Sequence, residues 1–318
     1  MPENEVKSSP DNSWQSRRLW AGIKWETPKS VAASLRRTTI GGQVQTRSLP
    51  TMNRKSGLET FLRWAGSKRK ILPLLATYWK PGFTRYIEPF AGSCALFFYL
   101  CPRKAILNDL NDELMRTYRT VRAFPAGVYR ELTAVRRGKH GYYKARSCAP
   151  ESLSRVDRAV RFVYLNRFCF NGLYRTNRAG RFNVPYSGTG IIPPLETFAA
   201  CARLLSRARL TSSDFADVLE ETREGDFVYL DPPYVVESRR VFVEYGPAVF
   251  TSKDLNRLME VLHAMDRNHV RFLLTYADCA DIRRFNVSWN VRRIQVHRHI
   301  SGFAAARRSA YELLISNG

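Results

Sequence analysis

The chain is expected to form an α/β fold: a mostly parallel sheet covered by helices on both faces, with one long insertion. Three observations carry this expectation. From residue 58 onward, strand-like and helix-like stretches alternate. Two of the apolar strands run out into turns marked by Gly or Pro beside acidic residues. Residues 125–190 break the alternation with a stretch that is first helical and basic, then rich in Gly, Asn, Arg and aromatics. No internal repeat is visible.

The elements follow in order. Residues 1–57 are rich in Ser, Arg, Thr, Pro and Gln, hold no helical or strand period, and read as a disordered basic arm with ten Lys/Arg against four Asp/Glu. An alternative is a start placed too early, because Met52 opens "MNRKSGLETFLRWAG", a natural beginning. "TRYIEPFAGSCALFFYL" reads as strand, Gly turn and apolar helix, and "KAILNDL" as a second strand ending on Asn-Asp. "NDELMRTYRTVRAF" opens with acids and carries apolar residues at helical spacing, as a helix N-terminus favours. After the insertion come a helix near 195–207, a strand in "RARLTSS", the strand of "DFVYLDPPY", a helix over about 252–267 and the strand "VRFLLTYAD". "VRRIQVHRH" and "AYELLISN" are expected to be two final strands.

Composition narrows the partner. The 318 residues carry 51 Lys and Arg against 28 Asp and Glu, a formal charge of +23, which favours contact with a polyanion, nucleic acid before an anionic membrane surface. No run of about 18 apolar residues exists to span a membrane, no signal peptide opens the chain, and no basic amphipathic helix suggests a surface-bound one. The six cysteines show neither CxxC spacing nor a nearby His, so no metal site is expected, and they read as reduced, mostly buried thiols of a cytoplasmic protein.

Three constellations carry chemistry. In "EPFAGSCALFF", Phe90 and Gly92 lie in a turn between strand and helix, where Gly lets the backbone approach a ligand closely. Asp109 ends the next strand seventeen residues after Gly92, near the interval at which α/β nucleotide-binding folds set an acid on ribose hydroxyls. An ordinary turn followed by a capping Asp reads equally well on this evidence alone. In "YLDPPY", Asp231 can accept from an amino group, Pro232 and Pro233 fix the backbone and remove two donors, and Tyr234 offers a ring on which a base can stack. A rigid turn explains the prolines but not the acid and the tyrosine. In "FLRWAGSKRKIL", Trp64 and Lys68 flank a small turn, and a helix beginning near Ser67 would favour an anionic group there. A basic helix with a buried Trp explains that stretch as well.

Taken in order, "FLRWAGSKRKIL", "EPFAGSCALFF", "LNDLN", "NRFCFNGLYRTN…GRFNVPYS" and "YLDPPY" resemble the Dam-type (D12 class) DNA adenine N6-methyltransferases, from about Phe61 to the C-terminal "HISGFAAARRSAYELLIS". The resemblance implies a Rossmann-like methyltransferase sheet built from 58–124 and 191–318 that binds S-adenosyl-L-methionine, with a mainly helical DNA target-recognition insertion at 125–190. Cofactor contacts fall on Trp64, Lys68, Phe90, Gly92, Asp109 and Asp231, and the catalytic tetrapeptide on Asp231, Pro232, Pro233 and Tyr234. Phe170, Asn171, Leu173 and Arg175 fall on the DNA-reading hairpin, where an aromatic and an Asn enter the base stack and an Arg contacts guanine. Cys94 stands where the family often has Gly, and Phe170 where it more usually has Tyr.

The implied activity is methylation of a flipped adenine at N6 in double-stranded DNA, with GATC as the suggested site, by a bacterial or phage-encoded protein associated with the nucleoid. Asp231 would accept one N6 hydrogen and the Pro232 carbonyl the other, with no strong general base required. Two other readings stay open at this point. One is an N4-cytosine or RNA methyltransferase using the same acid-aromatic clamp. The other is a DNA-binding module without catalysis. Partnership with a restriction enzyme is also left open.

Overall fold

The computed structural model describes residues 57–177, 179–235, 250–285, 288–297 and 309–318. Apart from Gly57, the arm expected over 1–57 lies outside the described residues, as does the 298–308 part of the C-terminal stretch. The fold is α/β, as expected.

Seven strands form one sheet. They are β1 (Arg85–Glu88), β2 (Ala105–Asn108), β3 (Ala208–Thr211), β4 (Asp226–Leu230), β5 (Arg271–Ala277), β6 (Asn290–His297) and β7 (Ser309–Ser316). Their order across the sheet is β3-β2-β1-β4-β5-β7-β6. The first five are mutually parallel, with Ile87 opposite Val228 and Val228 opposite Phe272, and β7 pairs antiparallel to both β5 and β6. Parallel strands buried on both faces need near-continuous apolar runs, and "YIE", "AILN" and "DFVYL" supply them.

The pleat divides the strands' side chains between two cores. Tyr86, Leu107, Phe227, Tyr229, Leu273 and Leu314 face one, while Ile87, Ile106, Val228, Leu230, Phe272, Leu274 and Ile315 face the other. On the first face pack α1 (Leu72–Ala76), α2 (Ala95–Leu100), α3 (Asp112–Ala123), α4 (Pro125–Ala134), α5 (Lys139–Ser147), α6 (Arg155–Phe168) and α7 (Leu195–Leu205). On the second pack α8 (Phe215–Glu220), α9 (Ser252–Arg267) and α10 (Ala280–Arg283). Local chemistry explains the boundaries. The Asn111 side chain caps α3, and Thr251 and Asp254 form a reciprocal capping box on α9. The 125–190 segment contributes Val128, Leu132, Tyr142, Val163 and Phe182 to the same core as the sheet.

One boundary differs from expectation. No helix begins at Ser67. A 3-10 turn occupies Arg69–Ile71 and α1 starts at Leu72. Gly66, at φ 80°, turns the chain first, and Pro73 is tolerated only in a helix's opening turn, which pins that turn just before it.

Candidate active site

The order of the sheet changes direction between β1 and β4, so the crevice beyond their carboxyl ends is where an open α/β sheet binds ligands. The loop after β1 and the turn after β4 both open there.

Asp231 follows β4 directly. Lys68 Nζ donates to it at 2.7 Å (Oδ1) and 3.0 Å (Oδ2), and Thr275 of β5 donates to Oδ1 at 2.8 Å. Thr275 Oγ1 also reaches the Leu230 carbonyl at 3.2 Å, which fixes the strand end that carries the acid. A carboxylate has about four lone-pair sites, so these contacts leave Asp231 capacity for a further donor. It also keeps 22% side-chain exposure, while Lys68 keeps 9% and Glu312 6%. The acid faces the crevice and its partners lie behind it.

Tyr234 is held from two sides. Its hydroxyl donates to Glu312 Oε1 at 3.0 Å, and its ring meets Tyr276 edge to face at 5.3 Å. The Tyr276 hydroxyl accepts from the Val235 amide at 3.0 Å, anchoring the backbone just past the turn. Glu312 comes from β7. The antiparallel register sets it opposite Ala277, at the carboxyl end of β5. Its Oε2 lies 3.8 Å from Lys68 Nζ, so this lysine sits between two carboxylates. Burial pulls the Lys68 pKa down, but Asp231, Tyr234 and Glu312, with the hydrogen bond to Asp231, more than reverse this, and the ammonium stays charged.

The loop after β1 carries the second half of the crevice. Gly92 adopts φ 46°, and a Cβ there would stand 2.9 Å from Cδ1 and Nε1 of Trp64, so the indole lies directly on this glycine. The Gly92 amide donates to Asp109 Oδ2 and the Asn111 amide to Oδ1, both at 2.9 Å. Burial pushes the Asp109 carboxyl up, and these two amides offset only part of the rise. Tyr118 donates to the Gly92 carbonyl at 2.8 Å, and the hydroxyls of Ser93 and Ser67 meet at 3.3 Å, tying this loop to the one that carries Trp64 and Lys68. Phe90 turns to the other face and packs on Phe215 at 5.3 Å and Phe250 at 6.1 Å.

Of the residues singled out by sequence, Trp64, Lys68, Gly92, Asp109, Asp231 and Tyr234 thus come together around one crevice. Pro232 is buried and Pro233 half-buried beside them. Phe170, Asn171, Leu173 and Arg175 lie on the loop that follows α6, with Leu173 packed on the first core. Bridges Cys169–Tyr186 and Thr176–Phe182 close it as an antiparallel loop. Asn171 takes φ 53°, Phe170 is 41% exposed, and Arg175 Nε donates to Asn183 Oδ1 at 2.8 Å. The structure also adds Thr275, Glu312 and Glu88, which sequence reading passed over. Glu88 ends β1, is buried, and accepts from Tyr86 at 3.0 Å. Burial raises its pKa well above the ordinary value, Tyr86 opposes this, and the nearby Asp231 and Asp109 raise it further. Only Glu88 had a visible signal, an acid ending a strand beside the Gly turn.

Fold and crevice together define a class: an α/β methyltransferase, with its Gly loop and its acid-Pro-Pro-aromatic turn at the point where strand order reverses. Residues 64–300 match the family described as D12 class N6 adenine-specific DNA methyltransferase. A Type II methyltransferase of Lactococcus lactis subsp. cremoris is 31% identical over 274 residues, spanning 83% of this chain and 96% of that protein. A Type II methyltransferase of Methanocaldococcus jannaschii is 31% identical over 287 residues, spanning 82% and 99%. The DNA adenine methylase of Escherichia coli K12 is 29% identical over 261 residues, spanning 80% and 93%. The chain belongs to the D12 class N6 adenine-specific DNA methyltransferases: it is an enzyme that methylates adenine in DNA.

Proposed function

We propose that the enzyme moves a methyl group from S-adenosyl-L-methionine to N6 of an adenine flipped out of double-stranded DNA, with GATC as its target. The observation that carries this reading is Asp231: an acid at the switch point, held by Lys68 and Thr275, with one side open to the crevice and Tyr234 fixed beside it.

The residues suit this methyl donor. Asp109 ends β2 with both oxygens steadied by backbone amides and with lone pairs to spare for ribose hydroxyls. The Asn111 side chain next to it caps α3 and meets the Tyr174 hydroxyl. Gly92 and Trp64 form the adjoining wall, and Lys68, its charge shared between Asp231 and Glu312, borders it. When bound, the donor supplies an electrophilic methyl on a sulfonium.

The rest is done by the chain. Adenine N6 is a poor nucleophile because its lone pair is delocalised into the ring. Asp231 accepts one N6 hydrogen and the Pro232 carbonyl the other, which favours a pyramidal nitrogen with its lone pair exposed. The Tyr234 ring replaces the stacking lost on flipping, which costs a few kcal/mol. Catalysis on this reading is positioning and electrostatics, with no covalent enzyme intermediate. Residues 125–190 read the target, with Phe170, Asn171, Leu173 and Arg175 at the duplex.

The test is to methylate unmodified plasmid, digest it with endonucleases that differ in their response to adenine methylation in GATC, and analyse the nucleosides by mass. N6-methyladenine and protection at GATC are expected from the wild type. Asp231→Ala should lose methylation by at least about 10³-fold while duplex binding persists. Methylcytosine as the product, or an active Asp231→Ala enzyme, would overturn the reading.

A further inference from the structure

Resting on the reading above, we propose that Tyr174 couples the methyl-donor loop to the DNA-reading loop, so that donor and duplex each tighten binding of the other. Tyr174 sits between Leu173 and Arg175, and its ring packs inward among Trp64, Phe162 and Phe182. It lies near-parallel to the Trp64 indole, with centroids 6.0 Å apart and 16° between planes. Trp64 in turn rests on Gly92. One ring therefore reaches from the loop that follows α6 to the wall of the donor crevice.

Two further contacts make the link stiff. Gly172, at φ 66°, touches the Arg63 backbone so closely that a Cβ would stand 2.7 Å from Arg63 Cβ and 3.1 Å from its carbonyl carbon. Asn166 of α6 then clamps Arg63, accepting from its amide at 2.9 Å and donating to its carbonyl at 2.6 Å. On its other sides the Tyr174 ring packs on Phe162 and Phe182, each at 5.6 Å. Arg175 is tied to Asn183, which closes the same loop. The loop cannot shift without disturbing Trp64.

The energetic consequence follows from linkage. A donor bound against Trp64 immobilises the indole and gives Tyr174 a fixed surface. The duplex then meets a loop whose ordering has already been met, so it binds more tightly. Reciprocity requires the duplex to strengthen donor binding by the same factor. The ring face, stacked on Trp64, carries the coupling, while the hydroxyl meets Asn111 and is the contact that the phenylalanine variant removes.

The experiment measures binding of S-adenosylhomocysteine, the non-reactive donor product, to the full-length protein by calorimetry, alone and with saturating GATC duplex. In the wild type the two dissociation constants should differ by at least about fivefold, the lower end of usual allosteric couplings. Tyr174→Phe should keep that ratio, and Tyr174→Leu should reduce it below about twofold, whatever the separate affinities do. Circular dichroism confirms that each variant is folded, and Tyr174→Met serves should the Leu variant fail to fold. A wild-type ratio near one, a leucine variant that keeps the full ratio, or a phenylalanine variant that loses it would each overturn the coupling. A protein that binds neither ligand would overturn the functional reading as well, whereas binding of both without coupling overturns this inference alone.

Discussion

Lys68 holds two carboxylates together. Asp231 and Glu312 come from strands that are not neighbours in sequence, and without a cation between them their repulsion would open the crevice. Glu312 also fixes the Tyr234 hydroxyl, so it acts on the tetrapeptide through position. Replacing Glu312 with Leu frees that ring and should lower the single-turnover methylation rate about 10- to 100-fold, while Glu312→Gln, which can still accept, should stay within about fivefold. An unchanged rate in the leucine variant would remove Glu312 from the site. Glu88 makes a different prediction. Its folded pKa is raised, so the folded state holds the proton that the unfolded chain releases. Stability from this group is complete below the unfolded value and is lost as pH rises above it. The melting temperature of Glu88→Gln should therefore gain on the wild type as pH rises above the unfolded carboxyl's value of about 4.3, where the unfolded carboxyl has ionised and the buried one still holds its proton. A pH-independent difference would show that Glu88 titrates normally.

Among the elements, the loop after α6 is the one we propose to bear the specificity. Arg175 is pre-positioned by Asn183, which suits a guanidinium meant to make two bonds to guanine O6 and N7. Arg175→Ala should relax base choice by about 1–3 kcal/mol at one position of the site, measured as the ratio of binding to cognate and singly altered duplexes. Equal weakening on every sequence, with the salt slope about one unit shallower, would instead make Arg175 a phosphate contact. β7 shows what an element contributes beyond its own sequence. Its antiparallel entry between β5 and β6 brings Glu312 to the carboxyl edge of the sheet. A parallel strand in the same slot would run its residues past that edge in the opposite sense.

Over the whole molecule the surplus of 51 basic over 28 acidic residues dominates. Duplex binding should weaken steeply with salt, with a log–log slope steeper than about −5 at roughly 0.9 per phosphate neutralised. A slope near zero would mean that the charge serves solubility alone. Eight Lys and Arg against four acids lie before Met52. A chain begun at that methionine is expected to show a shallower slope with unchanged base preference, which the same titration reads. Among the described residues no helix is long and apolar enough to cross a membrane.

The amino-acid order by itself determined the α/β class, most strand positions, the family and six residues of the crevice. These are readable because they depend on local signals: apolar runs for buried strands, a glycine in the turn after β1, acids opening α3, and an acid beside two prolines after β4. The helix considered near Ser67 begins as a 3-10 turn at Arg69 and as α1 at Leu72, because the turn at Gly66 and Pro73 decide where it starts. Only the tertiary structure decided that Lys68 meets Asp231 across 163 positions, that Thr275 and Glu312 complete the pocket, and that Tyr174 lies on Trp64. The physical reason is that strand order and the antiparallel register of β7 set these distances, and neither is encoded in any single stretch of chain.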